Sequence, residues 1–169
     1  MTQYAFKRCW EAVRLCGNRT IFAIMLCAIA KEGWAVPNIS VTGDWIAPTI
    51  TEANLNAGAG TDIGPIESVS AQTTIGVTGA GAPWVIRVAR DNSLPPSAKV
   101  YVRRTSGDSG IGGATVSGGT AYQEITTVAT QFLSGTGNFN NNITLQFKVE
   151  TSVQVSPSTY ALTVTYSIE

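Results

Sequence analysis

Side chains able to do chemistry are few in this chain of 169 residues, and none of them is a histidine. Without histidine the chain cannot build a Ser-His-Asp triad, a Cys-His pair or a His-ligated zinc site. Eleven Asp and Glu residues remain as candidates for acid–base work. They stand mostly singly, whereas glycoside hydrolysis needs two convergent carboxylates. We therefore predict a protein that is not an enzyme and that needs no cofactor.

The segment most like a phosphate-binding loop is Gly107-Asp108-Ser109-Gly110-Ile111-Gly112-Gly113. It lacks the Lys-Ser/Thr pair that follows such a loop, and no helix follows to supply amide donors. Asp108 alone also lacks the spaced carboxylates of a calcium loop. The segment therefore predicts a turn between strands and no metal site. A weak cation site built on backbone carbonyls stays open as the alternative.

The first part of the chain has the pattern of an export signal. Four basic residues precede an uncharged apolar run at 21–30, and a small-x-small site follows at 33–35. The apolar run has the length of a signal-peptide core and is too short to span a bilayer as a helix. We predict cleavage after Ala35. An uncleaved N-terminal anchor is the alternative, because Lys31 and Glu32 are unusual so close to a cleavage site.

Cleavage would make residues 1–35 a signal peptide and residues 36–169 a single secreted domain. The leader holds all three cysteines, five of the eleven basic residues and two of the eleven acidic ones, so the remainder has a net charge of −3. That balance argues against nucleic acid as a partner and against a membrane partner beyond the export step.

The composition of residues 36–169 is typical of β-sheet. These residues include 19 Thr, 14 Val and 11 Ile but five Leu, and β-branched side chains pack well on pleated strands. Apolar and polar residues alternate with period two along 143–150 and again along 162–168. Breaks rich in glycine or proline, and one at 135–142 that is rich in glycine and asparagine, separate these and weaker alternating segments. We predict an all-β sandwich of about seven to eight strands, either immunoglobulin-like or jelly-roll.

Aromatic residues suggest a second kind of function, since exposed Trp and Tyr on a β-sandwich can stack on sugar rings. Tyr101 is out of phase with Val100 and Val102, and we predict that it faces away from the core. Trp84 alternates with Ile86 as a strand residue does. Tyr101 and Trp84 are therefore the candidate glycan contacts, with core packing as the alternative for Trp84.

Residues 36–46 read as a strand at the free end of the secreted domain, with apolar or small residues at alternate positions. If this strand does not pair within its own domain, it could complete a sheet in a neighbouring copy. The uncharged alternating segment near the C-terminus would then flank the groove that accepts it. The predicted donor positions are Ile39, Val41, Gly43 and Trp45, and the predicted acceptor positions are Leu162, Val164, Tyr166 and Ile168.

In these two segments the chain resembles secreted bacterial fibre subunits of the pilin type. The resemblance implies an incomplete immunoglobulin-like sandwich that is completed by the N-terminal extension of a neighbour, and a place in an extracellular filament. The alternative is that residues 38 to 46 form the first strand of a complete, monomeric sandwich.

These patterns predict a secreted structural subunit that self-associates by donor-strand complementation into an extracellular or cell-surface filament. The alternative function is a monomeric carbohydrate-binding or adhesive module whose partners are glycans or a host cell surface.

Overall fold

The computed structural model describes residues 36–45, 51–57, 62–91, 94–95, 97–152 and 160–169, all in one compact unit. The predicted signal peptide, residues 1–35, and Ile46 at the end of the predicted extension lie outside this part. Ten strands run through it: β1 Asn38–Thr42, β2 Ile66–Glu67, β3 Thr73–Thr78, β4 Trp84–Arg90, β5 Lys99–Arg104, β6 Thr115–Ser117, β7 Gln123–Glu124, β8 Thr130–Thr136, β9 Phe139–Glu150 and β10 Val164–Ile168.

The strands form two antiparallel sheets, which confirms the all-β prediction. The first sheet has the order β1-β3-β9-β5-β7, and β2 pairs with the end of β9 beyond the part that β3 covers. The second sheet has the order β10-β4-β8-β6. The strand number exceeds the predicted seven to eight because β2 and β7 have two residues each, too few to give an alternating pattern. Helix is limited to two short 3-10 turns in the described residues, Glu52–Asn54 and Ile111–Gly113.

The pairing of the strands is nested around β6. Strand β3 pairs with β9, β4 with β8 and β5 with β7, so the chain from β3 to β9 resembles one long hairpin that has been rolled up. Successive strands from β3 onward therefore alternate between the two sheets. The terminal strands lie outside this nested set, with β1 added beside β3 and β10 added beside β4.

The two sheets share one apolar core in a sandwich-like arrangement. Trp84 of the second sheet packs edge-on against Phe139 of the first, with ring centroids 6.0 Å apart. Burying side chains of this size stabilises the fold by roughly 1.5–3 kcal/mol each. The fully buried members are Ile75, Val77, Trp84, Ile86, Val88, Val102, Ile125, Leu133, Phe139, Ile143 and Leu145.

Strand β8 buries two consecutive residues, which period-two alternation does not predict. Ile86 lies opposite Leu133 while Arg87 lies opposite Gln131, so Phe132 is an extra residue in the pairing of β8 with β4. Such a bulge turns the bulged strand locally and lets neighbouring side chains face the same way. Phe132 and Leu133 therefore both enter the core.

The predicted break at 135–142 is shorter than expected. Only Gly137 and Asn138 separate β8 from β9, and the chain crosses there from one sheet to the other. The Trp84 indole nitrogen donates to the Gly137 carbonyl at 2.9 Å, and Asn138 Oδ1 accepts from the Ala80 amide at 2.9 Å. The asparagine run that suggested a longer break lies within β9, at an irregularity in its pairing with β3.

Candidate functional site

Strand β1 is the edge strand of the first sheet and pairs with β3 of its own chain. Its five residues run antiparallel to β3, with Asn38 opposite Thr78 and Thr42 opposite Thr74. Ile39 and Val41 share the face that is turned toward the core. Ile39 is partly buried there, but 46% of Val41 remains exposed. The strand thus covers the margin of the core incompletely.

The segment after β1 is fixed against β3 and β9. Gly43 has a φ of 100°, and a Cβ atom there would lie 2.5 Å from the Gln72 carbonyl oxygen. The Gly43 carbonyl accepts a hydrogen bond from Thr73 Oγ1 at 3.0 Å, and the Asp44 carbonyl accepts one from Gln72 Nε2 at 2.6 Å. Trp45 then stacks on Phe147, with ring centroids 5.9 Å apart. This close approach requires glycine at position 43.

The structure brings the four predicted donor residues onto the first sheet of their own chain. Insertion of the same residues into a neighbouring copy stays a prediction, since the ladder with β3 would be the same in either case.

Strand β10 carries three of the four predicted acceptor residues, with Leu162 just before it, and forms an edge of the second sheet. Leu162, Val164, Tyr166 and Ile168 are partly buried against the core, while the intervening Thr and Ser residues are exposed. β10 pairs with β4 and not with β1, although β1 and β10 contact each other at one side of the sandwich. The two terminal strands therefore close the same side of the sandwich from different sheets.

Tyr166 has an unsatisfied hydroxyl at this side of the sandwich. Its oxygen is buried and has no hydrogen-bond partner among the described residues. Burial raises the pKa of Tyr166 far above its usual value, so the hydroxyl stays neutral. A buried hydroxyl without a partner costs about 1–3 kcal/mol.

The outer face of the first sheet holds a second cluster, which we call the tyrosine face: Tyr101, Tyr122, Arg103 and Lys148. Tyr101 faces away from the core while Val100 and Val102 are buried, as its phase predicts. The Lys148 ammonium lies 4.4 Å from the ring centroid of Tyr101 and 4.8 Å from that of Tyr122. The Arg103 guanidinium lies 4.6 Å from the Tyr122 ring.

Polar pairs within β9 and between neighbouring strands surround the tyrosine face. Lys148 pairs with Glu150 at 2.6 Å, and Lys99 pairs with Glu124 at 3.3 Å. Arg103 donates two hydrogen bonds to Gln146 Oε1, at 2.9 and 2.7 Å.

Neighbouring groups shift the pKa values of Glu150 and Tyr101 at this face. Hydrogen bonds from Lys148 and Tyr101 hold the pKa of Glu150 below its usual value, and burial together with Glu150 raises the pKa of Tyr101. The polar side chains of the tyrosine face can form hydrogen bonds with a ligand, and its aromatic rings can stack on one. The described residues contain no group of three or more acidic, Cys or His side chains placed to hold a metal ion.

The position of Trp84 contradicts the prediction that this residue contacts a glycan. Its side chain is 1% exposed, its ring packs on Phe139, and its indole nitrogen is already bonded to Gly137. A sugar cannot reach a ring in that position, so the core-packing alternative applies to Trp84.

Arg104 is the organising residue that sequence reasoning missed. Its side chain is 1% exposed and donates four hydrogen bonds, two of them to the glycine-rich segment 107–113. It donates to the carbonyls of Gly118 at 3.0 Å, Ser106 at 2.8 Å and Gly107 at 2.6 Å, and to Asp108 Oδ1 at 2.5 Å. The signal was available in the sequence, because Arg104 is in phase with the buried Val100 and Val102. The Ser106 and Gly107 carbonyls serve a guanidinium here, which leaves them poorly placed for a cation.

Comparisons of the chain with protein-family models, with curated proteins and with solved structures find no match. Within the described residues, no helix is long and apolar enough to cross a membrane. Function is therefore inferred from the geometry of β1, β10 and the tyrosine face.

Proposed function

We propose that the protein is a secreted structural subunit whose copies join by exchanging β1, so that they build an extracellular or cell-surface filament. The observation that carries this proposal is the position of β1. It lies at a sheet edge outside the nested set of strands, and its core-facing Val41 is 46% exposed. The pairings from β2 to β10 do not involve it, so a sandwich without β1 retains them.

The route to a filament follows from the ladder between β1 and β3. A β1 strand from another copy can form the same five-residue register and bury the same side of Ile39. Residues 46–50 connect Trp45 to the next described residues and reach about 17 Å when extended. If each copy gives its β1 to the next and receives one from the previous copy, the contact is head-to-tail, and it builds an open filament when the rotation between copies does not close into a ring.

The nested strand order supports the jelly-roll alternative over the immunoglobulin-like one. In a jelly roll, a long hairpin is wrapped so that paired strands lie in alternating sheets. The pairs β3–β9, β4–β8 and β5–β7 follow that pattern, and β1 and β10 extend it at one side.

Placing carboxylates on the core-facing side of β1 should abolish assembly. We expect the Ile39→Asp/Val41→Asp variant of the full chain to form no polymer, because an unpaired carboxylate facing the core is costly whether β1 pairs with β3 of its own chain or with β3 of a neighbouring copy. The matched control is Ser40→Asp/Thr42→Asp, which adds the same charges to exposed positions of the same strand. Light scattering across concentration measures the result. Equal assembly of the two variants would overturn the exchange of β1.

Glycan binding at the tyrosine face is the second candidate, favoured by the outward position of Tyr101 beside Tyr122. It predicts saturable binding of a soluble oligosaccharide from a test panel by the monomer, weakened at least about fivefold by Tyr101→Ala because aromatic stacking contributes on the order of 1 kcal/mol or more. Tyr160→Ala is the control, since Tyr160 is also exposed but lies elsewhere. Calorimetric titration measures the affinity of each variant for the oligosaccharide. Equal losses of affinity in the two variants would argue against a glycan site at the tyrosine face.

A further inference from the structure

Strand β10 leaves a regular set of backbone groups unpaired at the edge of the second sheet. Val85 and Glu169 exchange two backbone hydrogen bonds, and Asp91 donates to the Thr163 carbonyl. Hydrogen-bonded pairs alternate along an antiparallel ladder. Thr163, Thr165, Ser167 and Glu169 therefore direct their backbone groups toward β4. The amides and carbonyls of Val164, Tyr166 and Ile168 point to the opposite side, and none of them is hydrogen-bonded within the described part of the chain.

This edge lacks the features that normally protect an exposed strand. Charged residues, proline and bulges discourage the pairing of an edge with another chain. Residues 160–168 contain no charge and no proline, and the pairing of β10 with β4 has no irregularity. Three other strands with free edges are much shorter, since β2 and β7 have two residues each and β6 has three.

We propose that the edge of β10 pairs with β10 of a second copy, antiparallel and centred on Tyr166. In this register Tyr166 lies opposite Tyr166 of the partner subunit, and Val164 lies opposite Ile168 of the partner subunit. These are the positions whose backbone groups point outward, so all of them gain partners. Sliding one strand by a single residue, so that Tyr166 lies opposite Ser167 of the partner subunit, would set these outward-pointing groups against residues whose backbone groups face β4.

The side chains of β10 match this two-fold arrangement on both faces. On the core-facing side, Val164 meets Ile168, so apolar residues meet apolar residues. On the outer side, Thr165 meets Ser167, and both are small and uncharged. Glu169 already pairs with Arg87 at 2.7 Å in its own chain, so the strand end brings no unpaired like charges together. The strand is thus self-complementary, which singles out a second copy as its partner.

The unsatisfied hydroxyl of Tyr166 is a second, independent observation at the centre of this register. Residues directly opposite in an antiparallel pair lie about 5.5 Å apart and share one face. The proposed register therefore places Tyr166 of the partner subunit directly opposite the tyrosine whose hydroxyl has no hydrogen-bond partner in the single chain.

The test uses two charged variants that differ at one position. Both are made in the full chain carrying Ile39→Asp/Val41→Asp, which removes β1 exchange and leaves β10 unchanged. Thr165→Lys/Ser167→Lys sets like charges opposite one another in the proposed register, whereas Thr165→Lys/Ser167→Glu sets opposite charges there. Both positions are exposed, so the fold should tolerate either change.

Sedimentation equilibrium should show a dimer for the chain with unaltered β10 and a dimer Kd raised at least about tenfold for the Lys/Lys variant, because opposed like charges are costly. The Lys/Glu variant should dimerise at low salt and weaken as salt is added. A monomer with unaltered β10, or equal dimerisation of both charged variants, would overturn the proposal. Failure of β1 exchange would give a different result. The chain with native β1 would then form this dimer but no assembly larger than the dimer.

Discussion

Replacing Arg104 with Met is expected to lower the free energy of unfolding by about 3 kcal/mol, because a buried guanidinium that donates to three carbonyls is lost and each such hydrogen bond contributes roughly 1 kcal/mol. The Arg104 guanidinium is the donor for the carbonyls of Ser106, Gly107 and Gly118. Met fills a similar volume but donates nothing, so these carbonyls lose the donor that the buried Arg104 side chain supplies. The loop between β5 and β6 would lose its internal support as well.

Arg103→Met is the control for this experiment, because Arg103 is adjacent in sequence but lies on the outer face. Its side chain bonds to Gln146 and covers the Tyr122 ring without entering the core. We expect a loss of about 1 kcal/mol, the net contribution of such contacts at a partly exposed position. Urea unfolding of both variants measures the difference. Similar losses would show that Arg104 does not hold the loop.

Replacing Gly135 with Ala is expected to lower the free energy of unfolding by about 3 kcal/mol, the upper part of the usual range for overpacking. A Cβ atom at Gly135 would lie 2.5 Å from the Trp84 ring and would also collide with the Thr115 carbonyl oxygen. Trp84 cannot move aside, because it is buried against Phe139 and bonded to Gly137. The backbone of β8 would have to shift away from β4.

Gly81→Ala separates this collision from the general effect of adding a methyl group. A Cβ atom at Gly81 meets no atom within 4 Å. We expect its stability to change by less than about 1 kcal/mol, because fewer unfolded conformations offset any small local cost. Thermal unfolding compares the two variants. A Gly135→Ala protein as stable as Gly81→Ala would contradict the packing of Trp84 described above.

Alternation in the sequence predicted the strands whose pleats are regular. Val100 and Val102 in β5, and Ile143, Leu145 and Phe147 in β9, follow period two and are buried. Strand β8 escaped prediction because the bulge at Phe132 places two consecutive residues in the core. A bulge depends on the register with a neighbouring strand, which is a non-local property that the pattern of one segment does not encode.

The candidate sites also have a part that local alternation predicts and a part that depends on the pairing of distant strands. The phase of Tyr101 relative to Val100 and Val102 predicted its outward position, and the same phase rule places Arg104 inside. The relation between β1 and β10 could not be predicted, because it depends on β1 pairing with β3 while β10 pairs with β4. The sequence also cannot show whether β1 pairs with β3 of its own chain or with β3 of a neighbouring copy, since both ladders contain the same residue pairs.

Cysteine cross-linking across β1 and β3 tests strand exchange most directly. In a full chain with Cys9, Cys16 and Cys27 changed to Ser, Thr42→Cys/Thr74→Cys puts one cysteine on each strand at positions that face each other. Thr115→Cys/Thr136→Cys is the control, because these partners on β6 and β8 lie with their hydroxyls 3.0 Å apart in one chain.

After assembly and oxidation, we expect the 42/74 pair to give a ladder of covalent multimers on a non-reducing gel, while the 115/136 pair stays at the mass of one chain. A 42/74 disulfide found only within single chains, in a sample that light scattering shows to be assembled, would contradict the exchange of β1.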